Sequence, residues 1–267
     1  MGEARRIDRI DTAPRFTAAE AEALNHRFAD ADTDTLLRAV LTQGVAGRVA
    51  VVSSFGAESA VLLHLVARVN PATPVLFLDT GKHFAETLAY RDALVARLGL
   101  TGLVNLTPDA DLLAKRDENG LRWSFDPDGC CDIRKVQPLA RALAGFDATI
   151  TGRKGFQSAT RAGLPRFELD TADAAGRLKV NPLASWRAED LAAWFAAHDL
   201  PAHPLVAEGY PSIGCSPCTS KVQPGEDPRS GRWRGWDKTE CGIHAASPVP
   251  GTDGKPGDLP PDYEPAF

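Results

Sequence analysis

The sequence predicts an α/β protein with a mostly parallel sheet, and two observations carry this prediction. Short apolar runs rich in β-branched residues, such as VAVVSS and PVLFLDT, alternate along the chain with longer apolar segments such as AVLLHLVARV. The longer segments have the length and bulk of helices that cover a sheet. This alternation is typical of βαβ units, in which helices shield both faces of a parallel sheet.

The predicted elements of the first half follow in order. Two surface helices, at 17–31 and 35–41, precede the first strand, VAVVSS. The helix after the second strand, HFAETLAYRDALVARLG, is predicted to have one mostly apolar face. That face is formed by Phe84, Leu88, Arg91, Val95 and Leu98. GLVNLTP and DATITG are the third and fourth strand candidates.

The second half of the chain carries fewer elements. RFELD and RLKVNPL are predicted to pair as a small antiparallel element near the sheet edge. SWRAEDLAAWFAAHDL has the pattern of a helix with Ser185 as its N-cap. Leu191, Trp194 and Phe195 fall on one face of that helix. After Pro201 the periodicity disappears, and glycine and proline dominate the remaining sequence.

The composition excludes several classes of protein. With 43% hydrophobic and 24% charged residues, the 267-residue chain has the balance of an ordinary globular protein. It contains no apolar run of about 18 residues, which excludes a membrane-spanning helix. A net charge of −5 argues against a general nucleic-acid binder. The beginning, MGEARRIDRIDTAPRF, lacks the apolar region of a secretion signal, so we expect a cytoplasmic protein.

The five cysteines form two close pairs and one isolated residue. In a reducing cytoplasm this pattern indicates four metal or cluster ligands and one reactive thiol, although buried cysteines that act as small apolar residues are the alternative. The 83 residues between the pairs exceed zinc-finger spacings, and ferredoxin spacings do not match either. The pairs are Cys130 with Cys131 and Cys215 with Cys218, and the isolated residue is Cys241.

The first strand ends in SSFGAES, directly before a helix. In a parallel sheet such a turn binds anions through backbone N–H groups, and its serines add hydroxyl donors. It matches neither the Walker A loop nor the GxGxxG pattern, and an ordinary turn is the alternative. The second strand closes in Leu78-Asp79-Thr80-Gly81 at the same edge, where it can contact an adenosine or form a structural turn.

These motifs together resemble the iron–sulfur type of assimilatory adenylyl-sulfate (APS) reductase, within the family of PAPS and APS reductases. The resemblance runs from about Ser53 to His244, with the motifs in the family's order. They are SSFGAES, LDTGKHFAET, CCDIRKVQPL, TGRKGFQSATR, GCSPC, RSGRW and KTECGIH. The resemblance implies an ATP-pyrophosphatase-like (adenine nucleotide alpha-hydrolase-like) core. SSFGAES departs from that fold's SGGxDS loop, which argues against ATP cleavage and for an adenylated sulfur substrate.

On this basis the chain divides into four predicted segments. An N-terminal helical segment covers 1–45, and an α/β nucleotide-binding core with the adjacent cysteines covers 46–200. A mobile C-terminal arm with the CxxC pair and Cys241 covers 201–246. The tail at 247–267 is predicted to be disordered because proline and glycine dominate it.

The resemblance implies a thioredoxin-dependent reduction of APS to sulfite and AMP. The Cys241 thiolate would attack the sulfate sulfur and form an S-sulfocysteine. Thioredoxin or a glutaredoxin-type dithiol would then release sulfite. The implied cofactor is a [4Fe-4S] cluster on Cys130, Cys131, Cys215 and Cys218, whose negative charge Lys135 could offset.

The family's motifs imply eight substrate contacts, which lie in six segments. They are Ser53, Leu78, Lys135, Gly152, Arg161, Arg229, Arg232 and His244. The segment between TG and TR is shorter here than in the family, so the Arg161 assignment depends on a gap. We expect Arg153, Lys154 and Arg234 to be solvated surface charges, and His83 to be a first-turn helix residue.

Three alternatives remain open at this point. PAPS reductases share the core motifs and the ECGIH-like ending but commonly lack the four cluster cysteines. An ATP-dependent tRNA-thiolating sulfurtransferase would share the phosphate loop, but the chain lacks the loop's usual residues and a basic RNA-binding stripe. A non-enzymatic redox sensor would leave Cys241 unexplained. The sequence also leaves a homo-oligomer open.

Overall fold

A computed structural model provides the structure of the chain. It describes residues 15–157, 163–171, 173, 175–238 and 240–243. The predicted disordered tail lies outside the described residues, and the division into four segments stays a prediction.

The helices and strands of the described residues follow the predicted alternation. The strands are β1 (Val49–Ser53), β2 (Val75–Leu78), β3 (Leu103–Leu106), β4 (Ala148–Ile150), β5 (Phe167–Leu169) and β6 (Leu178–Val180). The helices are α1 (Ala18–Arg27), α2 (Thr33–Thr42), α3 (Ser59–Val69), α4 (Ala85–Leu98), α5 (Ala110–Arg116), α6 (Pro127–Cys131), α7 (Gln137–Leu143), α8 (Ala188–Ala197) and α9 (Pro204–Ala207). A π-helical turn, Asp132–Val136, joins α6 to α7, and 3₁₀ turns cover Arg122–Ser124, Gly155–Gln157 and Ser216–Cys218.

The strands form one six-stranded sheet in the order β3-β2-β1-β4-β6-β5. Every neighbouring pair is parallel except β5 and β6, which pair antiparallel. The predicted parallel α/β fold and its antiparallel edge are therefore confirmed. From β1 the chain continues to β2 on one side, and β4 lies on the other side. Such a reversal of strand order opens a crevice at the carboxyl ends of the strands, where ligands bind in this class of sheet.

Helices cover both faces of the sheet. Neighbouring residues of β1 point to opposite faces, so Val51 joins the larger apolar cluster and Ala50 joins the smaller one. The larger cluster includes fully buried side chains of α2 and α3, such as Leu36 and Leu63. Leu139 of α7 belongs to the smaller cluster. No helix of the described residues has both the length and the apolar character needed to cross a membrane.

One local prediction was wrong. The N-cap of α8 is Arg187 rather than Ser185, because Trp186 donates its N–H to the Leu183 carbonyl and Ser185 lies in that turn. On α4, Leu88, Val95 and Leu98 of the predicted apolar face pack half-buried against the larger apolar cluster. The buried residues of this helix also include Thr87 and Tyr90, whose polar groups have partners in His203 and Pro201. The Thr87 hydroxyl lies 3.1 Å from His203 Nε2, and the Tyr90 hydroxyl donates to the Pro201 carbonyl at 2.9 Å.

Candidate active site

A cavity of about 370 Å³ lies at the carboxyl ends of β1, β2 and β4. Its other wall consists of segments 211–214 and 227–243, which contribute lining residues from beyond the sheet. The cavity brings together seven of the residues predicted to act on a substrate, which are Ser53, Leu78, Lys135, Gly152, Arg229, Arg232 and Cys241. Arg161 and His244, which were also predicted, lie outside the described residues.

The turn after β1 is shaped by local hydrogen bonding and by one close approach. Ser53 Oγ accepts the backbone N–H of Phe55 at 3.2 Å, and Phe55 has a positive φ of 48°. Its buried ring packs edge-on against Phe77, with the ring centres 5.5 Å apart, and this packing stabilises the unusual backbone conformation. A side chain at Gly56 would meet the Ile213 carbonyl at 3.5 Å. The turn therefore lies against the opposite wall of the cavity.

Basic side chains surround the cavity. Lys154 is only 3% exposed, and its Nζ lies 2.6 Å from Glu58 Oε2. Arg153 is half-buried and pairs with Glu168. The prediction that these two residues are solvated was therefore wrong, because the chain after β4 turns along the cavity instead of toward solvent. The same prediction holds for Arg234, which is exposed and pairs with Glu226.

His83 also differs from its prediction. It precedes α4, whose N-cap is Phe84, and it lines the cavity. Its Nε2 lies 2.8 Å from the Leu78 carbonyl, which can only accept, so Nε2 carries the hydrogen. Burial lowers the pKa of His83, and its Nδ1 has no hydrogen-bond partner among the described residues. A neutral imidazole is thus held at the end of β2.

The four paired cysteines line a second, small cavity of about 10 Å³. Cys130 and Cys131 end α6, while Cys215 directly precedes a 3₁₀ turn and Cys218 ends it. Burial raises the pKa values of Cys130 and Cys131 to about 11. Burial also acts to raise the pKa of Cys215, but Lys135 and the Thr80 hydroxyl, 3.3 Å from its Sγ, outweigh it and lower that pKa.

The donor chemistry of this small cavity fits an iron–sulfur cluster. Four thiols from two segments line this cavity together with Arg134 and Lys135. The positive charges of these two side chains can offset the negative charges of thiolate ligands. Within the described residues, no three histidine, cysteine or carboxylate side chains form a group that could hold a single metal ion. The fit is therefore one of donor type, donor number and surrounding charge.

Lys135 links the two cavities. It lines both of them, and it lies on the π-helical turn that follows the adjacent cysteines. Burial alone would lower the pKa of Lys135, but the thiols of Cys215, Cys241 and Cys131 outweigh burial and raise it. A permanently charged ammonium group therefore stands between the isolated thiol and the cysteine pairs.

The segment that carries Cys241 is held by two ion pairs. Lys238 pairs with Asp128, and Arg229 Nη2 lies 3.5 Å from Glu240 Oε2. Cys241 is half-buried and lines the same cavity as the turn after β1. The arrangement can bind an anionic nucleotide and present a soft nucleophile to it.

Several residues near the site have roles that sequence reasoning missed. Arg134 is buried and binds Asp117 Oδ2 through two nitrogens. It also donates to the Thr80 carbonyl at 2.8 Å, so it supports the structure around the cysteines and is not free for a substrate. Trp233 lines both cavities, and Lys154 lines the larger one. The position of Lys154 in the sequence, two residues after the predicted substrate contact Gly152, could have indicated that it lines the cavity.

The chain is similar to known proteins of one family. The profile of the phosphoadenosine phosphosulfate reductase domain matches residues 48–221. A protein of Mesorhizobium japonicum named adenosine 5'-phosphosulfate reductase is 50% identical over 244 residues, covering 91% of this chain and 94% of the relative. A protein of the same name from Chelativorans sp. is 50% identical over 238 residues, covering 86% and 94%. A crystal structure of phosphoadenylyl-sulfate (PAPS) reductase from Candida auris, in complex with phosphate, aligns with a TM-score of 0.65. Its sequence identity is 27%, and the alignment covers 78% of this chain and 98% of that one.

Proposed function

The chain belongs to the phosphoadenosine phosphosulfate reductase family, and from this membership we propose that it reduces adenylyl sulfate to sulfite and AMP in sulfate assimilation. The two relatives described above, each 50% identical over most of their length, carry the name of this activity. The observation that carries the proposal is the position of Cys241. The isolated thiol lines one cavity with the turn after β1, Lys135 and Arg232.

The first step uses Cys241 as the nucleophile. Its thiolate attacks the sulfur of the sulfate group, so a sulfur–sulfur bond forms while the bond from that sulfur to the bridging oxygen breaks. The electron pair of the broken bond leaves with AMP. Lys135, Arg229 and Arg232 supply positive charge for the anionic substrate and for the charge that develops on the leaving phosphate.

The second step releases sulfite from the S-sulfocysteine. A dithiol protein of the thioredoxin or glutaredoxin type attacks Cys241 Sγ, and sulfite leaves with the bonding electron pair. The second thiol of that protein then closes a disulfide and frees Cys241. The dithiol supplies both electrons. A cytoplasmic location belongs to this proposal because free thiols persist in a reducing compartment.

The nucleotide is assigned to the edge of the sheet. Ser53 would contact it at the turn after β1, Leu78 at the end of β2, and Gly152 beyond β4. Arg161 and His244 complete the proposed contacts. Phosphate groups suit the first of these positions, because a turn at the beginning of a helix presents N–H groups to anions.

The four paired cysteines are proposed to hold a [4Fe-4S] cluster. When bound, the cluster supplies a fixed negative charge beside Lys135 and no electrons for turnover, since the dithiol provides them. Lys135 interacts with Cys215 of the small cavity and also lines the substrate cavity. Its ammonium group can therefore offset the repulsion between the cluster and the anionic substrate.

The second candidate is reduction of PAPS by the same steps. The solved structure from Candida auris, itself a PAPS reductase, favours it. The higher identity of the relatives named for the APS activity argues for APS.

The deciding experiment offers APS and PAPS in parallel to anaerobically purified protein with thioredoxin, and measures sulfite release. We expect strong preference for APS. Preference for PAPS would retain the chemistry of Cys241 but overturn the proposed nucleotide. Sulfite from neither substrate would overturn the proposed function.

A further inference from the structure

Gly214 lies in the cavity wall, immediately before Cys215. An added Cβ at this position would lie 2.5 Å from Cζ and 2.9 Å from Nη1 of Arg232. Its φ lies outside the left-handed region, so the backbone itself accepts any L-residue. Glycine is therefore required at this position because the Arg232 guanidinium occupies the space that a side chain at 214 would fill.

The segments that carry Gly214 and Arg232 are held together by their backbones. Thr219 and Arg232 form an antiparallel bridge. Ser220 donates its N–H to the Gly231 carbonyl at 2.8 Å, and Trp233 donates to the Cys218 carbonyl at 3.0 Å. The backbone of Arg232 is thus held relative to the CxxC turn, so the end of its flexible side chain is the part that moves most readily when position 214 changes.

The guanidinium group of Arg232 is oriented by packing. Its Cζ lies 4.4 Å from the centre of the Trp233 ring, and the group also occupies the space beside Gly214. Its Nε is buried and has no hydrogen-bond partner among the described residues. A buried donor without a partner is costly, which is the state expected of a group that completes its hydrogen bonds with a bound anion.

We infer that Gly214 is a positioning residue for substrate binding. Because glycine has no side chain, the Arg232 guanidinium can occupy the space beside it and face the anionic group of the substrate. The inference rests on the proposed function and deepens it. It assigns to the CxxC turn a second role beside its cysteines, which is to orient a substrate contact.

A methyl group at position 214 would displace the guanidinium without preventing folding. Carbon atoms in contact lie about 3.5–4.0 Å apart, so Cζ has to withdraw by about 1 Å or more. The clashing atoms are the end of a flexible side chain, which can move away. A displacement of about 1 Å of a substrate-positioning group costs up to about 100-fold.

The test compares Gly214→Ala with Gly145→Ala, each made in Cys241→Ser protein that carries its cofactor and cannot turn over. Gly145 is the matched control because an added Cβ there meets no atom within 4 Å. The measurement is the Kd for adenylyl sulfate by calorimetry. We expect Gly214→Ala to weaken binding about 10- to 100-fold and Gly145→Ala to change it less than twofold, with the same visible absorption as the parent.

The same pair of substitutions in an Arg232→Ala background decides whether the effect passes through Arg232. There the methyl group has room, so we expect Gly214→Ala to change the Kd less than twofold. An unchanged Kd for Gly214→Ala alone, or an equal loss in both backgrounds, would overturn the inference. If Gly214→Ala lowers the melting temperature, recovery in the Arg232→Ala background supports the inference and persistence overturns it. A parent protein that binds no adenylyl sulfate would instead overturn the proposed function.

Discussion

At the level of single residues, the surroundings of each side chain decide its chemistry. Cys130 and Cys131 have raised pKa values because they are buried, whereas Lys135 and the Thr80 hydroxyl lower the pKa of Cys215 despite its burial. Cys241 lies beyond Lys135, in the cavity that holds the basic side chains. Cysteines of the same chain are thus proposed to serve two purposes, which their positions distinguish.

Replacing Cys241 by serine tests the nucleophile. A serine hydroxyl is a hard and weakly acidic group, so we expect sulfite formation to fall by at least about 10³-fold. The iron content should stay at the wild-type level, because Cys241 is not among the four proposed ligands. Sulfite release and iron are measured on the same preparation. Turnover near the wild-type rate would contradict the assignment.

His203 predicts a dependence of stability on pH away from the site. Its Nδ1 accepts the N–H of Leu205 at 3.2 Å and its Nε2 lies 3.1 Å from the Thr87 hydroxyl, so the neutral ring fits the structure. Burial lowers the pKa of His203 from 6.5 to about 4. The unfolded chain therefore binds a proton more readily below pH 6.5, and the stability present above that pH is lost progressively until about pH 4.

The matched variant is His203→Asn, which keeps an N-cap acceptor for Leu205 and cannot titrate in this range. Between pH 7 and pH 5, we expect the wild type to lose about 1–2 kcal/mol more of its unfolding free energy than the variant loses. Urea unfolding at the two pH values measures this difference. Equal losses of unfolding free energy in the two proteins would show that His203 does not cause the loss of stability at acidic pH.

At the level of elements, short helices and turns bring the cysteine pairs together. Asp126 caps α6 by accepting the Gly129 N–H at 2.7 Å, and Pro127 occupies the first turn. The Arg134–Asp117 pair then anchors the following π-helical turn. These contacts direct Cys130 and Cys131 toward the CxxC turn, whose Ser216 N–H donates to the Lys82 carbonyl at 2.7 Å.

The ion pair between Lys238 and Asp128 ties the segment before Cys241 to α6. Asp128 is largely exposed, so the pair contributes roughly 0.2–1 kcal/mol. Asp128→Asn should therefore raise the rate at which a maleimide modifies Cys241 by about two- to fivefold, measured by mass spectrometry of its peptide. Asp111→Asn, at an exposed position of α5, is the control. An unchanged rate in Asp128→Asn would show that the pair does not restrain this segment.

At the level of the whole molecule, the reversal of strand order places the cavity. β1 lies between β2 and β4, so the turns after these three strands meet at one edge of the sheet. The segments after residue 201 close the cavity from outside the sheet, through Gly214, Arg232 and Cys241. Binding and thiol chemistry therefore depend on contacts between parts of the chain that are far apart in sequence.

Cys218→Ser tests this long-range connection. The two cysteine pairs are separated by 83 residues, and a cluster held by all four would cross-link the core to the CxxC turn. We expect the variant to lose most of its iron and, with it, several degrees of melting temperature. Iron per chain and thermal unfolding are compared with Cys241→Ser, which should retain both. Full iron content in Cys218→Ser would count against the ligand set.

The sequence by itself determined the strands and five of the helices, α1–α4 and α8, whereas the shorter helices α5–α7 and α9 were not predicted. Strand and helix periodicities are local properties of the chain, so the parallel strands and their antiparallel edge follow from short stretches. The isolated Cys241 and the two cysteine pairs were also visible as residues of a given chemistry. The prediction of Ser185 as the N-cap of α8 was wrong because Ser185 lies in a separate turn just before the helix.

Only the tertiary structure decided which of these residues share a site. The pairs of Lys154 with Glu58, Arg153 with Glu168 and Arg134 with Asp117 each join segments that lie apart in sequence. The contact of Gly214 with Arg232 does the same. Burial and charge pairing depend on what packs around a side chain in three dimensions. A basic residue on a loop therefore has the same local sequence whether it faces water or a buried carboxylate, and only the packed fold distinguishes the two.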